Sequence, residues 1–301
     1  MAVQVWDGEA LEDVALSLWT GSREVDLAYL GAMPGGYGSV DGMLATNDFN
    51  IAHRGGSVDW AEMSLRAYTE SVARRVGALE VSLARTSDGV WFGHHDQYLD
   101  RVVLGTAGTT MLPSAYTWAQ IQEMSILPPS GSTYSAQPFM RWEQFVEAYG
   151  QGSHVVFADP KYALSSAALM NEFWGMLESM PGDPQSYVVA KYYGTAVTLA
   201  EPALDRGFKT WGYFYESDYT SGVLATQMAA TYNGQPRWSL LGMDYGASPG
   251  AWTAITGGTQ PVLGHICPNA AAKTTAIGRG AVGCMVSGIR PVVSQERDLV
   301  A

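Results

Sequence analysis

A chain of 301 residues can hold two ordinary domains or one large barrel of alternating strands and helices. With 47% apolar and only 15% charged residues it can bury a large core, which excludes a disordered chain. The net charge of −12 and pI of about 4.7 exclude a non-specific grip on nucleic acid or anionic membrane, and no apolar run is long enough to span a bilayer.

The opening stretch from Met1 to Glu9 lacks the basic-then-apolar pattern of a secretory signal, so work outside a cell would need another way out. The two cysteines, Cys267 and Cys284, make neither a disulfide framework nor a zinc site and read as small core residues.

Residues 1–48 read as an N-terminal arm. Trp6-Asp7-Gly8 and Trp19-Thr20-Gly21 form a loose echo too short for a repeat, and Pro34-Gly35-Gly36-Tyr37-Gly38-Ser39 is dense in turn formers that mark a boundary. Such an arm either packs on the main domain or docks to a larger assembly, because exposed aromatics need a surface to cover them.

From Phe49 the chain alternates two patterns. Phe49–Ala52 is a short apolar run, and 62–76 carries a helical stripe at Leu65, Tyr68, Val72 and Val76. Asp59 and Glu62 are spaced as a capped helix start, with Glu70 and Arg74 as an i,i+4 pair on the wet face. Leu79–Leu83 reads as a strand and Val90–Gly93 as a shorter run inside a loop excursion. Residues 101–135 read as an inserted loop with a helical piece near Trp118–Met124, and Trp142–Tyr149 as a helix.

A regular rhythm follows. Strands are expected at Val155–Ala158, Tyr187–Lys191, Thr210–Tyr215, Trp238–Met243, Pro261–Ile266 and Val282–Val286. Helices are expected at Ala167–Met180, Thr198–Arg206, Val223–Tyr232, Ala251–Thr256 and Ala270–Ile277. With the two earlier strands this makes eight strand–helix units, more than a doubly wound sheet needs. The expectation is a (β/α)8 TIM barrel over 49–301 behind the short arm.

A barrel of this kind works at the C-terminal ends of its strands. In order, those ends deliver His53 and Arg54, Glu80 and Ser82, Asp159 and Lys161, Lys191 and Tyr192, Tyr215 and Glu216, Asp244, His265, and Ser287, with His95 and Asp96 on the loop after the second strand. Two histidines, several carboxylates, an arginine and lysines suit a phosphate ester. Arg54 can hold a phosphoryl group through paired hydrogen bonds, and Lys161 adds a point charge. Glu80 and Asp159 can hold a hard cation, Mg²⁺ or Ca²⁺. His53 and His95 can serve as acid and base. Lys191, Tyr215, Glu216 and Asp244 either line the pocket or pair with one another, and His265 is as easily a rim residue. Glu62 reads as a helix cap, His94 as the outward neighbour of His95, and His154 as structural at the opposite end.

Ile51-Ala52-His53-Arg54-Gly55 resembles the opening motif of the glycerophosphodiester phosphodiesterase family. Ala61-Glu62-Met63-Ser64 stands where that family carries Pro-Glu-Asn-Thr. Leu79-Glu80-Val81-Ser82 is similar to its second-strand motif, His95-Asp96-Gln97-Tyr98-Leu99-Asp100-Arg101 to its second histidine motif, and Asp159-Pro160-Lys161 to its Glu-x-Lys. The resemblance runs from residue 50 to about 292. It implies a barrel hydrolase in which His53 and His95 are the acid and base, Arg54 and Lys161 contact phosphate, and Glu80 and Asp159 hold the metal. Three positions depart from the pattern. Ser82 replaces an aspartate ligand, Asp159 replaces a glutamate, and Ser287-Gly288 replaces Thr-Asp. Losing one of three carboxylates should weaken metal binding, so the ion is either held by Glu80, Asp159 and water, or the site has kept recognition without catalysis.

The aromatic arm, Pro34-Gly35-Gly36-Tyr37 and the run from Glu80 to Gly93 also resemble minor tail proteins of phages that infect actinobacteria. That resemblance implies a place in the virion at the tip region of the tail, reached by lysis. Outside a phage the chain would be cytoplasmic. It further implies other tail proteins as partners, a host cell-envelope phosphodiester or glycan as target, no nucleic acid, and a homo-oligomer in the assembly.

Overall fold

Along each strand, side chains take turns between two apolar environments, and that alternation builds the molecule. In the computed structural model, which describes residues 36–105, 108–161 and 165–293 together with the backbones of Val3–Trp6 and Leu11–Val14, eight strands run parallel and close on themselves. They are β1 (Phe49–Ala52), β2 (Ala78–Arg85), β3 (Val155–Asp159), β4 (Val188–Tyr193), β5 (Lys209–Phe214), β6 (Leu240–Asp244), β7 (Val262–Cys267) and β8 (Gly283–Val286). Each pairs with its neighbours in chain order, and β8 returns to β1 with Gly283 opposite Phe49. The expected (β/α)8 barrel is the observed one. Every strand lies within a few residues of its expected place.

Phe49, Ile51, Ala78, Val155, Phe157, Val189, Trp211, Tyr213, Leu240, Leu263 and Met285 fill the barrel interior. The residues between them, such as Ala52, Leu79, Val81, Val156, Val188 and Leu241, pack outward against the helices. Trp211 occupies the space a side chain on β6 would need: a Cβ built on Gly242 would lie 2.6 Å from the Trp211 indole nitrogen. Since Trp211 is fully buried, Gly242→Ala forces the ring or the strand to shift. A loss of ~1–3 kcal/mol in urea unfolding is expected from such overpacking.

The helix Val40–Leu44, capped by Ser39, sends Val40 and Met43 into the same interior cluster at the N-terminal ends of the strands. Barrel packing thus begins inside the stretch read from sequence as arm. The Trp6 and Trp19 side chains of the aromatic echo lie outside the described residues.

Two other expectations change. The first barrel helix spans Leu65–Ala73 and is capped by Ser64, whose hydroxyl accepts the Ala67 amide, so Glu62 caps nothing. Glu70 and Arg74 do pair, at 2.7 Å, but both are buried, with the guanidinium over the Trp60 ring. The helical stripe misses this because an aromatic neighbour, supplied by the preceding loop, covers the polar face.

The excursion after β2 is more ordered than a loop. Trp91–Gly93 pairs antiparallel with the end of β2, Ser125–Ile126 pairs with Gln137–Pro138, and Phe92, Leu99, Val102, Val103, Ile121, Ile126 and Phe139 form a small core of their own. It carries His95 and Asp96. Among the described residues no helix is long and apolar enough to cross a membrane.

Candidate active site

Directly after β1 the chain makes a tight turn, His53–Gly55, with Arg54, Gly55 and Gly56 all at positive φ. Left-handed backbone costs a non-glycine residue of order 1–3 kcal/mol, so Arg54 is held there by its surroundings. Gly55 sits so close to the first helix that a Cβ on it would lie 2.9 Å from Ala67 Cβ. The turn aims the Arg54 amide at Glu80 Oε2, 2.8 Å away, and places His53 Nδ1 2.8 Å from Ser287 Oγ on the far side of the β8–β1 seam.

Interior alternation turns Glu80, Ser82, Asp159 and Lys191 into the barrel toward the C-terminal ends of their strands, with Ser82 opposite Asp159 in register. Glu80 Oε1 accepts from Ser82 Oγ at 3.0 Å and from Lys191 Nζ at 2.9 Å. Lys191 also donates to Asp159 Oδ2 at 2.9 Å, and Lys161 pairs with that same oxygen at 2.8 Å. Burial opposes ionisation of Glu80, but Lys191 and Arg54 outweigh it and hold the carboxyl down at about 2. Asp159 is likewise pulled low against its burial by Lys161 and Lys191. Lys191 is itself pushed up, because the two carboxylates outweigh desolvation. Lys161 goes the other way: burial dominates, and it shares Asp159 with Lys191. Asp159 Oδ1 is buried and has no donor among the described residues.

The second histidine motif joins the first through alternating charges. His95 Nδ1 lies 2.7 Å from Asp96 Oδ1, Asp96 pairs with Arg101, Arg101 reaches Glu62 at 2.6 Å, and Glu62 meets Arg54 at 3.3 Å. Glu62, expected as a cap, is the buried hinge of this relay. His94 is not outward in the sense of exposed: it is buried against Phe92 and Phe139, with Nε2 3.2 Å from the Tyr98 carbonyl. His95 is the half-exposed one. His154 packs edge-on to Tyr149 at the N-terminal end of β3, as expected of a structural residue.

On the other side of the mouth, Lys161 stands over the rings of Tyr192 and Tyr193 at 5.2 and 5.7 Å. His265 stacks on Tyr213 with centroids 4.2 Å apart and has Nε2 3.5 Å from the Tyr215 hydroxyl, while its buried Nδ1 has no partner among the described residues. Glu216 instead accepts from the Ser248 amide and hydroxyl, and Asp244 accepts from the Gly246 amide, so both are spent on loop turns. Lys191 pairs with Glu80 and Asp159, Tyr215 borders His265, and Glu216 is turned to Ser248. Arg101 and Ser287 are the contributors that sequence reasoning left without a role. The signals were present: Arg101 closes the second histidine motif, and Ser287 follows Met285 in the inward alternation.

Burial pushes His53 well below the ordinary histidine value, helped by Arg54 and Lys191, and pushes His95 down against the pull of Asp96. His265 is also driven well below, by burial first. A histidine whose folded pKa is lowered stabilises the fold above its unfolded pKa of roughly 6.5, and that contribution is lost as pH falls below it. Melting temperature is therefore expected to hold near neutrality and decline steadily from about pH 6.5 downward, as differential scanning fluorimetry would record; a flat profile down to pH 5 would mean these rings are not held neutral.

The expected divalent cation does not fit. A hard ion needs several oxygen ligands bearing net negative charge. Both Glu80 oxygens are already bonded by the Arg54 amide, Ser82 and Lys191, and Asp159 keeps one oxygen free. Among the described residues no group of three or more histidine, cysteine or acidic side chains could hold a metal ion.

With this geometry in view, likeness to known proteins has a specific meaning. Residues 53–167 match the glycerophosphoryl diester phosphodiesterase family. The match runs from the first histidine through the excursion and β3. Solved structures give the same fold over most of the chain. An Oleispira antarctica phosphodiesterase, solved with its product sn-glycerol-3-phosphate, aligns with TM-score 0.62 at 15% identity, over 82% of this chain and 95% of that one. A glycerophosphodiester phosphodiesterase from Thermotoga maritima aligns with TM-score 0.60 at 13% identity, over 81% and 96%. One from Agrobacterium tumefaciens gives 0.57 at 15%, over 82% and 100%. Among curated proteins none matches the chain. At such identities the structural likeness is one of fold.

Proposed function

We propose that this chain hydrolyses a phosphodiester of the glycerophosphodiester class, in a host envelope polymer or a lipid headgroup, as a minor tail protein of a phage. The observation that carries the chemistry is that His53 and His95 lie within electrostatic reach of each other and of three cations, Arg54, Lys161 and Lys191, at one end of the barrel. The family match across 53–167 supports it.

In this reading a substrate hydroxyl attacks phosphorus, forming one O–P bond as the bond to the leaving oxygen breaks. His53, the more deeply buried ring, takes the proton of the attacking hydroxyl. His95, whose proton affinity Asp96 supports, gives a proton to the departing oxygen. Arg54, Lys161 and Lys191 stabilise the charge on the remaining phosphoryl oxygens. Water then opens the cyclic ester by the same exchange in reverse. Asp159 Oδ1, a buried acceptor without a donor among the described residues, would receive a substrate hydroxyl.

Release of a glycerol phosphate from simple glycerophosphodiesters, lowered by orders of magnitude in His53→Ala, is the expected result. No release above that control would overturn the reading for those substrates. A second reading, a silent barrel that only binds envelope phosphates or glycans, is favoured by Ser82 and by the engagement of both carboxylates. It predicts retained binding to a poly(glycerol phosphate) without turnover. The tail assignment rests on the resemblance of the arm and of residues 80–93. Proteomic analysis of purified particles tests it: virions lacking this chain would remove the assignment and leave the chemistry standing.

A further inference from the structure

We infer that Lys191 takes the place of a divalent cation, so that its ammonium, seated between Glu80 and Asp159, makes this a metal-independent site. Three observations converge on this. The ammonium bonds Glu80 Oε1 and Asp159 Oδ2, both at 2.9 Å, and is itself almost wholly buried. Two further donors, a backbone amide on Oε2 and the Ser82 hydroxyl on Oε1, also engage Glu80, and neither gives way to an ion without leaving a buried donor unpaired. Charge also balances without a metal, since the two carboxylates face the ammonium groups of Lys191 and Lys161.

Ser82 and Lys191 then explain each other. An ammonium brings one positive charge where a metal brings two, so it needs one carboxylate fewer around it. A serine that donates to Glu80 satisfies the vacated position, whereas an aspartate there would stand as a third buried anion. An ammonium has three donors, and the carboxylates use two. The third serves a phosphoryl oxygen, which is the electrostatic part of what a metal would contribute.

The inference does not depend on which substrate is cleaved, and its test does not read turnover. Isothermal titration of the full chain with MgCl2, CaCl2 and MnCl2 at millimolar concentration should give no saturable heat, and EDTA should leave the melting temperature unchanged. One-to-one binding by the unaltered chain would overturn it. In the double variant Ser82→Asp, Lys191→Ser the same ions should bind at one site and raise the melting temperature by several degrees. Lys191→Gln, which keeps a hydrogen-bonding side chain of similar reach, should gain a smaller ion-dependent rise. If both variants stay indifferent to all three ions, Lys191 does not stand at a cation position. A silent barrel that nonetheless behaves this way would sink the hydrolytic reading and leave this one intact.

Discussion

Replacing Lys191 by Met is expected to cost about 3–5 kcal/mol of folding stability, the penalty for removing one partner of a buried ion pair. The shape of the side chain survives the change, so little of the cost is cavity. What is lost is the one group that bonds both Glu80 and Asp159, which are fully buried. Asp159 keeps Lys161, but Glu80 keeps only neutral donors, the Arg54 amide and the Ser82 hydroxyl. The largest charge opposing burial is then gone, and although the Arg54 guanidinium remains, the Glu80 pKa rises and the carboxyl takes up a proton more readily. The pH dependence follows. In the unaltered chain Glu80 is held at about 2, so its ionised form stabilises the fold above the unfolded value of roughly 4.5, and that contribution fades between those limits. The variant has lost the contribution at neutral pH and has less to lose in acid, so the gap between the two proteins should narrow below about pH 4.5. Urea unfolding at pH 7 and at pH 4 measures both effects. A cost under about 1 kcal/mol at pH 7 would mean that the ammonium is not holding the pair.

The same residue shows where a sequence is legible and where it is not. Strands and helices were read to within a few residues, because Phe49, Ile51 and their counterparts alternate around the barrel. The barrel rule also predicted that His53, Glu80, Asp159, Lys191 and His265 stand at the C-terminal ends of the strands. Partnership was not legible. Whether Lys191 faces substrate or its own carboxylates depends on a distance across three strands, and no spacing along the chain encodes that. Glu62 failed for a related reason. Its spacing from Asp59 imitates a helix cap, while Arg101, brought back by the excursion, claims its carboxylate. Glu70 and Arg74 were paired correctly and placed wrongly, because the ring of Trp60 turns a polar face into an interior one. His95-Asp96 was found through a motif, and its supporting core was missed because strands of two or three residues leave no periodic signal.

The two histidines should separate when the leaving group is changed. Removing either one is expected to lower turnover of an alkyl glycerophosphodiester by about 10²–10⁴-fold, the usual contribution of a positioned acid or base. The assignment of His53 as base and His95 as acid makes a sharper claim. A p-nitrophenyl ester of glycerol phosphate departs as a stable phenolate and needs little protonation. On that substrate His95→Ala should recover most of its lost rate, whereas His53→Ala should stay impaired, because the attacking hydroxyl must still lose its proton. Burial supports this division: His53 is 4% exposed and bonded at Nδ1 to Ser287, which leaves Nε2 for the substrate, while His95 stands at the rim with Asp96 behind it. Ser287→Ala should then weaken His53 as a positioned base without removing it, giving a loss well short of His53→Ala on both substrates. Equal recovery of the two alanine variants on the activated ester would reverse the roles or merge them. A pattern in which His53→Ala alone recovers would make His53 the acid, with the Asp96-backed ring abstracting the proton.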